Sequence, residues 1–366
     1  MPIPGAAVRR LTRQEAEDLV WGAALFATGG GGPPEAGLRM VEALYSAGLS
    51  ISLARPEELR GYAASPYFVG SVKRGRGPGP EELRALLGRA VEQLGSLLGS
   101  PIGATVATEL GGGNTAVALY CASLLGLPAL DGDLMGRAGP ELHQSTAHVV
   151  GVPVTPSLIC TLGGDMVIVR SISGVDFYEA LARQVSVLAG GEALVLDTPL
   201  SAEEAGRALV PGTLSHCIRA GALLRQRKGA EELAEELGGL YLFEGRVSSL
   251  KLRTEGGFLV GEARFEGEGR SRGRRLRSYI KNEHIMVWLD DRPLVMPPDL
   301  FTLLGPEGLP LTNAELEPGM KVQGLGFPAP RIWRTPRGLE LFGPRHFGFE
   351  LDYRPIEELF EGSGQA

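Results

Sequence analysis

Apolar residues recur three and four positions apart in RQEAEDLVWGAALFA, Arg13 to Ala27, which predicts an amphipathic helix. TGGGGPP then breaks it, and a second helix is expected from about Pro34 to Ser46. LSISLAR is a short strand, and PEELRALLGRAVEQLGSLLG starts a helix at Pro80, where a first turn tolerates proline. PIGATVATEL reads as a buried strand, GGGN as a loop, TAVALYCASLLG as a helix apolar nearly all round, and LPALD as another buried strand. Strand, helix and strand with short joins make a βαβ unit, whose strands run parallel. The GGGN and DGD loops then both lie at the carboxyl ends of parallel strands, the edge where open α/β sheets bind ligands.

GPELHQSTAHVV predicts a helix starting at Pro140 with Gly139 as its cap. VIVRSIS and ALVLDTPLS read as strands around a helix, and helices cover about Ser201 to Leu237. From Tyr241 the pattern changes to short alternating strands punctuated by glycine and proline. The expected fold is an α/β domain over residues 1–164, with a mostly parallel or mixed sheet containing the βαβ unit. A mixed and then β-rich C-terminal domain follows over residues 165–366.

The 366 residues suffice for two cores, and 43% hydrophobic with 22% charged residues is a globular composition. The formal net charge of −7 recommends neither nucleic acid nor an anionic membrane as partner. The densest basic run, RSRGRRLR from Arg270 to Arg277, reads as a solvated hairpin. No apolar run reaches the roughly 18 residues of a membrane span, and the N-terminus lacks the order of a signal peptide, so a cytoplasmic location is expected. Three scattered cysteines, Cys121, Cys160 and Cys217, fit a reducing compartment and read as small buried residues.

Asp131 and Asp133 stand two apart in an extended segment, so their side chains share a side. Two carboxylates there repel unless one holds a proton or a cation sits between them. A hard metal ion, Arg137 or a cationic substrate would serve, with Asp133 as general base and Asp131 as its orienting or metal-binding partner. Equally open is a turn capped by Asp131 with Asp133 paired to Arg137. The same sheet edge collects Glu109 and Asn114, one of only three asparagines in the chain. Gly112 and Gly113 open backbone N–H groups at a helix N-terminus, suited to an anion or a developing oxyanion. Thr28, Gly30 and Gly31 are read as lining the site from the first glycine loop. His143, three residues after Pro140, is a candidate third ligand to a divalent metal with Asp131 and Asp133. Gly111-x-Gly113-x-x-Ala116 after a strand, with Asp131 some twenty residues on, also partly fits a dinucleotide fingerprint.

ATGGGG, ELGGGNT, DGDLMGRAGPEL, PGTLSHCIR and PAPRIWRTPRGLELFGPRHFGFELDY, in this order, resemble the S-methyl thiohydantoin desulfurase family, from about Leu11 to Leu359. Members of that family often accompany hydantoinase and oxoprolinase proteins. The resemblance implies an N-terminal α/β domain carrying the glycine loops and the motif matched by Asp131, Asp133, Gly136, Arg137, Ala138, Pro140 and Glu141, then a β-rich domain. It implies a hydrolytic enzyme acting on a small hydantoin-like ring, releasing methanethiol from an S-methyl thiohydantoin. Asp131, Asp133 and Glu109 are its expected catalytic groups, with Arg137 and Glu141 among the substrate-binding residues. Removing the charges of Asp131 and Asp133 is then expected to abolish turnover. A non-catalytic partner subunit of a hydantoinase or oxoprolinase, and a dinucleotide enzyme using Gly111 to Gly113, are the alternatives. A homo-oligomer is expected, with PAPRIWRTP as a lid or a subunit contact.

Overall fold

Two sheets organise the chain in the computed structural model, which describes residues 8–70 and 80–362. The first contains β1 (Arg9–Arg10), β2 (Ser52–Ala54), β3 (Tyr62–Gly70), β4 (Ile102–Ala107), β5 (Ala129–Asp133), β6 (Ser157–Thr161), β7 (Met166–Val169), β8 (Glu192–Leu200) and β9 (Val210–Pro211). Its order is β1-β2-β5-β4-β3-β8-β6-β7, with β9 paired to the end of β5. The four strands β2, β5, β4 and β3 are parallel, and β8, β6 and β7 continue the sheet antiparallel. The helices are α1 (Arg13–Phe26), α2 (Pro34–Ser46), α3 (Pro80–Leu98), α4 (Asn114–Leu125), α5 (Thr146–Val149), α6 (Val175–Leu188), α7 (Ala202–Ala208), α8 (Thr213–Arg225), α9 (Ala230–Glu236), α10 (Pro336–Phe342) and α11 (Ile356–Glu361). Two successive βαβ units, β3-α3-β4 and β4-α4-β5, place the loops after β4 and β5 side by side at one sheet edge.

The second sheet is antiparallel: β10 (Leu240–Glu255), β11 (Phe258–Gly267), β12 (Arg275–Lys281), β13 (Glu283–Leu289), β14 (Arg292–Val295), β15 (Leu300–Leu304) and β16 (Lys321–Phe327). It follows the order β14-β13-β12-β11-β10-β16-β15. The two-domain expectation, α/β and then β-rich, holds. The composition boundary at residue 164 falls between β6 and β7, inside the first sheet, and the chain passes to the second sheet after α9.

Helix α4 is buried on almost every side, as its uniform apolarity requires, because α1, α2 and α3 pack around it on the sheet. The largest core cluster runs from Leu19, Phe26 and Leu119 through to Ile285, Phe327, Trp333 and Phe342, so one apolar core joins the two sheets. Trp333 of PAPRIWRTP is fully buried and donates its indole N–H to the Met135 carbonyl at 2.7 Å. Through Trp333 the segment holds the C-terminal tail against the loop after β5, while Pro328, Arg331, Thr335 and Pro336 stay exposed.

Two local expectations fail for physical reasons. The helix expected from Pro140 is reduced to α5, because residues 140–145 form turns in which Gln144 and Glu141 bond each other's side chains and backbone. Strands β3 and β6 are not apparent in the sequence. Pro66 argues against a strand, yet pairing of β3 with β4 ends at Ala64, so the proline sits where only one side of β3 is paired.

Candidate functional site

The loop after α1 folds onto the loop after β4, glycine against glycine. The Gly31 carbonyl accepts the N–H groups of Gly113 at 3.2 Å and Asn114 at 3.0 Å, while Gly111 N–H donates to Thr115 Oγ1 at 2.8 Å. A β-carbon on Gly111 would lie 2.3 Å from the Gly31 carbonyl oxygen, so only glycine permits the approach. The helix N-terminus that could take an anion thus already serves the neighbouring loop. The amides of Gly111, Gly113 and Asn114 are therefore already engaged and not open to a pyrophosphate, which counts against the dinucleotide reading.

These paired loops form one wall of a cavity of about 880 Å3 between the two sheets. Gly30, Gly31, Glu109, Gly113, Asn114 and Glu141 line it. Glu283, at the start of β13, enters from the second sheet, and its Oε1 packs so closely over Gly30 that a β-carbon there would sit 1.9 Å away. Only 2% of Glu283 is exposed, and its Oε2 meets no hydrogen-bond partner among the described residues. Burial, reinforced by the charge of Glu109, holds this carboxyl well above the usual range. Glu109 is raised by burial as well, but Asn114 Nδ2 at 2.6 Å and Gly139 N–H at 2.9 Å donate to its oxygens and Arg137 adds positive charge, all favouring the ionised form. All three asparagines of the chain, Asn114, Asn282 and Asn313, line this cavity. Asn313 donates to the Asn282 carbonyl at 2.8 Å, while its buried Oδ1 is without a partner among the described residues.

Tyr67, Asp197 and Thr198, from β3 and β8, also line the cavity. Burial raises the Asp197 carboxyl to about 6, although the Tyr67 hydroxyl at 2.6 Å and the Thr198 hydroxyl at 3.0 Å both donate to it. Thr198 has φ +46°, a strained conformation for a β-branched residue.

A family model described as the S-Me-THD-like N-terminal domain matches residues 14–171, and one for the C-terminal domain matches residues 173–356. The chain belongs to the S-Me-THD-like family. An X-ray structure of a protein from Chromobacterium violaceum, determined by the Northeast Structural Genomics Consortium, superposes with a TM-score of 0.81 at 23% identity, covering 95% of this chain and 100% of that one. That likeness is one of fold. No match was found among curated proteins.

Within this S-Me-THD-like fold the motif aspartates do not line the cavity. Asp131 and Asp133 do face one side, as their spacing requires, and what meets them is the N-terminus of α8. Asp131 accepts from Ser215 N–H at 2.9 Å and from the Ser215 hydroxyl at 2.6 Å. Asp133, fully buried, accepts from Met135 N–H at 2.9 Å, Gly136 N–H at 2.6 Å and the Thr213 hydroxyl at 2.8 Å. Burial outweighs these donors and pushes the Asp133 carboxyl up to about 7. The helix N-terminus supplies a positive pole at the place for which a metal ion, Arg137 and a cationic substrate are the sequence candidates, and Arg137 itself bonds elsewhere.

Arg137 is also withdrawn from the cavity. Its guanidinium is 0% exposed and donates to the carbonyls of Ala138, Pro298, Asp299 and His284 and to Thr28 Oγ1, with Phe342 stacked beneath it. Burial lowers it to about 10, opposed by Glu283, Asp299 and Glu109. It therefore ties the first domain to the second instead of gripping a substrate carboxylate. Thr28 acts in the same tie, and a β-carbon on Gly112 would lie 2.7 Å from the Pro34 α-carbon, so this glycine packs against the start of α2.

His143 is not grouped with Asp131 and Asp133; it faces Glu141 and His346. Glu141, held near about 2 by His346 and Lys281 despite partial burial, is ionised. The cysteines are buried, with Cys121 raised to about 12 and Cys160 to about 11, so neither is a nucleophile. In the basic run, Arg270, Arg274 and Arg277 pair with Glu231, Asp290 and Glu262. No helix among the described residues is long and apolar enough to cross a membrane.

Proposed function

We propose that the protein hydrolyses a small hydantoin-like ring, removing methanethiol from an S-methyl thiohydantoin, with Glu109 as base and Glu283 as acid. The observation that carries this reading is a buried Glu283 carboxyl, whose Oε2 meets no partner among the described residues, beside a second carboxylate in one cavity. Burial raises both carboxyls, but Glu109 keeps two donors and the Arg137 charge that favour its ionised form whereas Glu283 Oε2 has no donor, and such unequal surroundings suit separate acid and base roles. Membership of the S-Me-THD-like family supports the ring class.

In this mechanism Glu109 takes a proton from water as its oxygen bonds to the ring carbon bearing sulfur. The C=N π pair moves to the ring nitrogen, which receives the proton held by Glu109. Glu283 then protonates the sulfur as the C–S bond breaks, methanethiol leaves, and the remaining hydroxyl proton returns to Glu283 as the ring C=O forms. One water is consumed, one hydantoin and one methanethiol are made, and both carboxyls regain their starting states. Asn313 Oδ1 and Asn114 orient the ring by hydrogen bonds, and both requirements suit a planar ring with N–H donors and carbonyl acceptors. Asp131 and Asp133 act at a remove, by seating α8 and the loop that carries Arg137.

The test is methanethiol release from an S-methyl thiohydantoin by the wild-type protein and the Glu283→Gln variant. Release that is lost in a folded Glu283→Gln variant supports the assignment, and equal release by both overturns it.

A further inference from the structure

Beside the cavity, the turn after Pro140 meets the C-terminal tail. His143 Nε2 lies 3.4 Å from His346 Nε2, and Glu141 Oε2 lies 2.6 Å from His346 Nε2 and 3.4 Å from His143 Nε2. With bonds of about 2.0–2.1 Å, a tetrahedral zinc ion sets its ligand atoms about 3.3 Å apart. Two of the three edges already have that length, and the third, at 2.6 Å, needs to open by about 0.7 Å.

Hydrogen bonding leaves this group unbalanced. His143 Nδ1 lies 3.1 Å from Asp176 Oδ1, an acceptor, so Nδ1 carries the hydrogen and the neutral ring presents a lone pair at Nε2. His346 can direct one N–H to Glu141, which leaves His143 Nε2 facing a nitrogen and a carboxylate oxygen. An added proton joins one pair at a time, whereas a central cation satisfies all three atoms. The surroundings suit a metal as well. Asp176 behind His143 is the carboxylate–histidine arrangement that fixes a ligand's tautomer; Lys281 takes the carboxylate oxygen Oε1 of Glu141, and Oε2 accepts from Gln144 Nε2 at 2.9 Å while its second lone pair faces the centre. Two imidazoles and one carboxylate favour a divalent transition metal over calcium or magnesium.

We propose that Glu141, His143 and His346 bind one divalent transition-metal ion of the zinc class, which fastens the C-terminal tail to the first domain at the cavity wall. Three protein ligands leave a fourth position for water or for a group reaching it from the cavity, which Glu141 lines. None of these ligands is Glu109 or Glu283, so metal binding and turnover can fail separately.

The test is calorimetric titration of the chelator-treated full chain with zinc chloride, with magnesium chloride as comparison. Expected are one zinc per chain, no magnesium binding, a loss of about 100-fold or more in affinity for His143→Ala and for His346→Ala, and no change for His216→Ala. A folded His143→Ala or His346→Ala protein that binds zinc like the wild type overturns the proposal, as does absence of zinc binding. Should either variant fail to fold, cobalt absorption of the unmutated chain decides. Visible bands of a four-coordinate nitrogen and oxygen site support the assignment, and a thiolate charge-transfer band or a six-coordinate spectrum contradicts it.

Discussion

An ionised carboxylate with an oxygen that meets no donor is costly to bury, so Glu283 is stable in its place as the neutral acid. Glutamine keeps the shape and cannot give up a proton, so Glu283→Gln is expected to lower kcat by about 100-fold to 10,000-fold with the circular dichroism spectrum unchanged. Glu109 must be ionised to act as base and Glu283 protonated to act as acid. On the proposed mechanism the acid limb of the kcat/KM profile is expected above the ordinary glutamate value, and activity is expected to fall again at alkaline pH where Glu283 ionises. Asp133 tests the same physics through stability. Its folded-state value, about 7, is above that of an unfolded aspartate, so its contribution is complete in acid and is lost as pH rises toward and through 7. Asp133→Asn removes this titration, and melting temperatures compared at pH 5 and pH 8 are expected to show the variant gaining on the wild type at the higher pH.

At the scale of elements, the two motif aspartates show how a catalytic-looking pair can hold a helix. Asp131 satisfies one backbone and one side-chain donor at the start of α8, so Asp131→Ala is expected to cost about 1–2 kcal/mol in a denaturant titration. Substantial turnover should remain, in contrast to the expectation from the motif alone. Helices α1 to α4 and strands β4 and β5 were legible because periodicity and glycine punctuation agree over their whole lengths. Strand β3 was not, since Pro66 masks it, and the helix expected at Pro140 was not formed, because the polar side chains of Glu141 and Gln144 bond locally and to the tail. The aspartate spacing correctly placed both side chains on one side; the identity of their partner, 80 residues further on, was beyond any local pattern.

Across the whole molecule, Arg137 sets the relation of the two sheets. Its donors reach the chain before β15 and the start of β13, and Arg334 and Tyr353 meet the Asp299 side chain on the far side of the same segment. Arg137→Met leaves buried acceptors and nearby carboxyls without their cation, and a loss of about 3–5 kcal/mol is expected in chemical unfolding. This joint also explains what the sequence concealed about the site. Glu109 and Asn114 were legible as neighbours because they belong to one βαβ edge, whereas Glu283 starts β13 of the other sheet and Asn313 sits in the turn between β15 and β16, and only the shared core brings them over the glycine loops. One signal was present: a chain with three asparagines uses all of them at this cavity. The division of labour between a cavity pair, Glu109 and Glu283, and a supporting pair, Asp131 and Asp133, is decided by methanethiol release from an S-methyl thiohydantoin, assayed with the wild type, Glu283→Gln and Asp131→Asn side by side. Release by the wild type and Asp131→Asn but not by a folded Glu283→Gln is the predicted result; release by Glu283→Gln at the wild-type rate would contradict it.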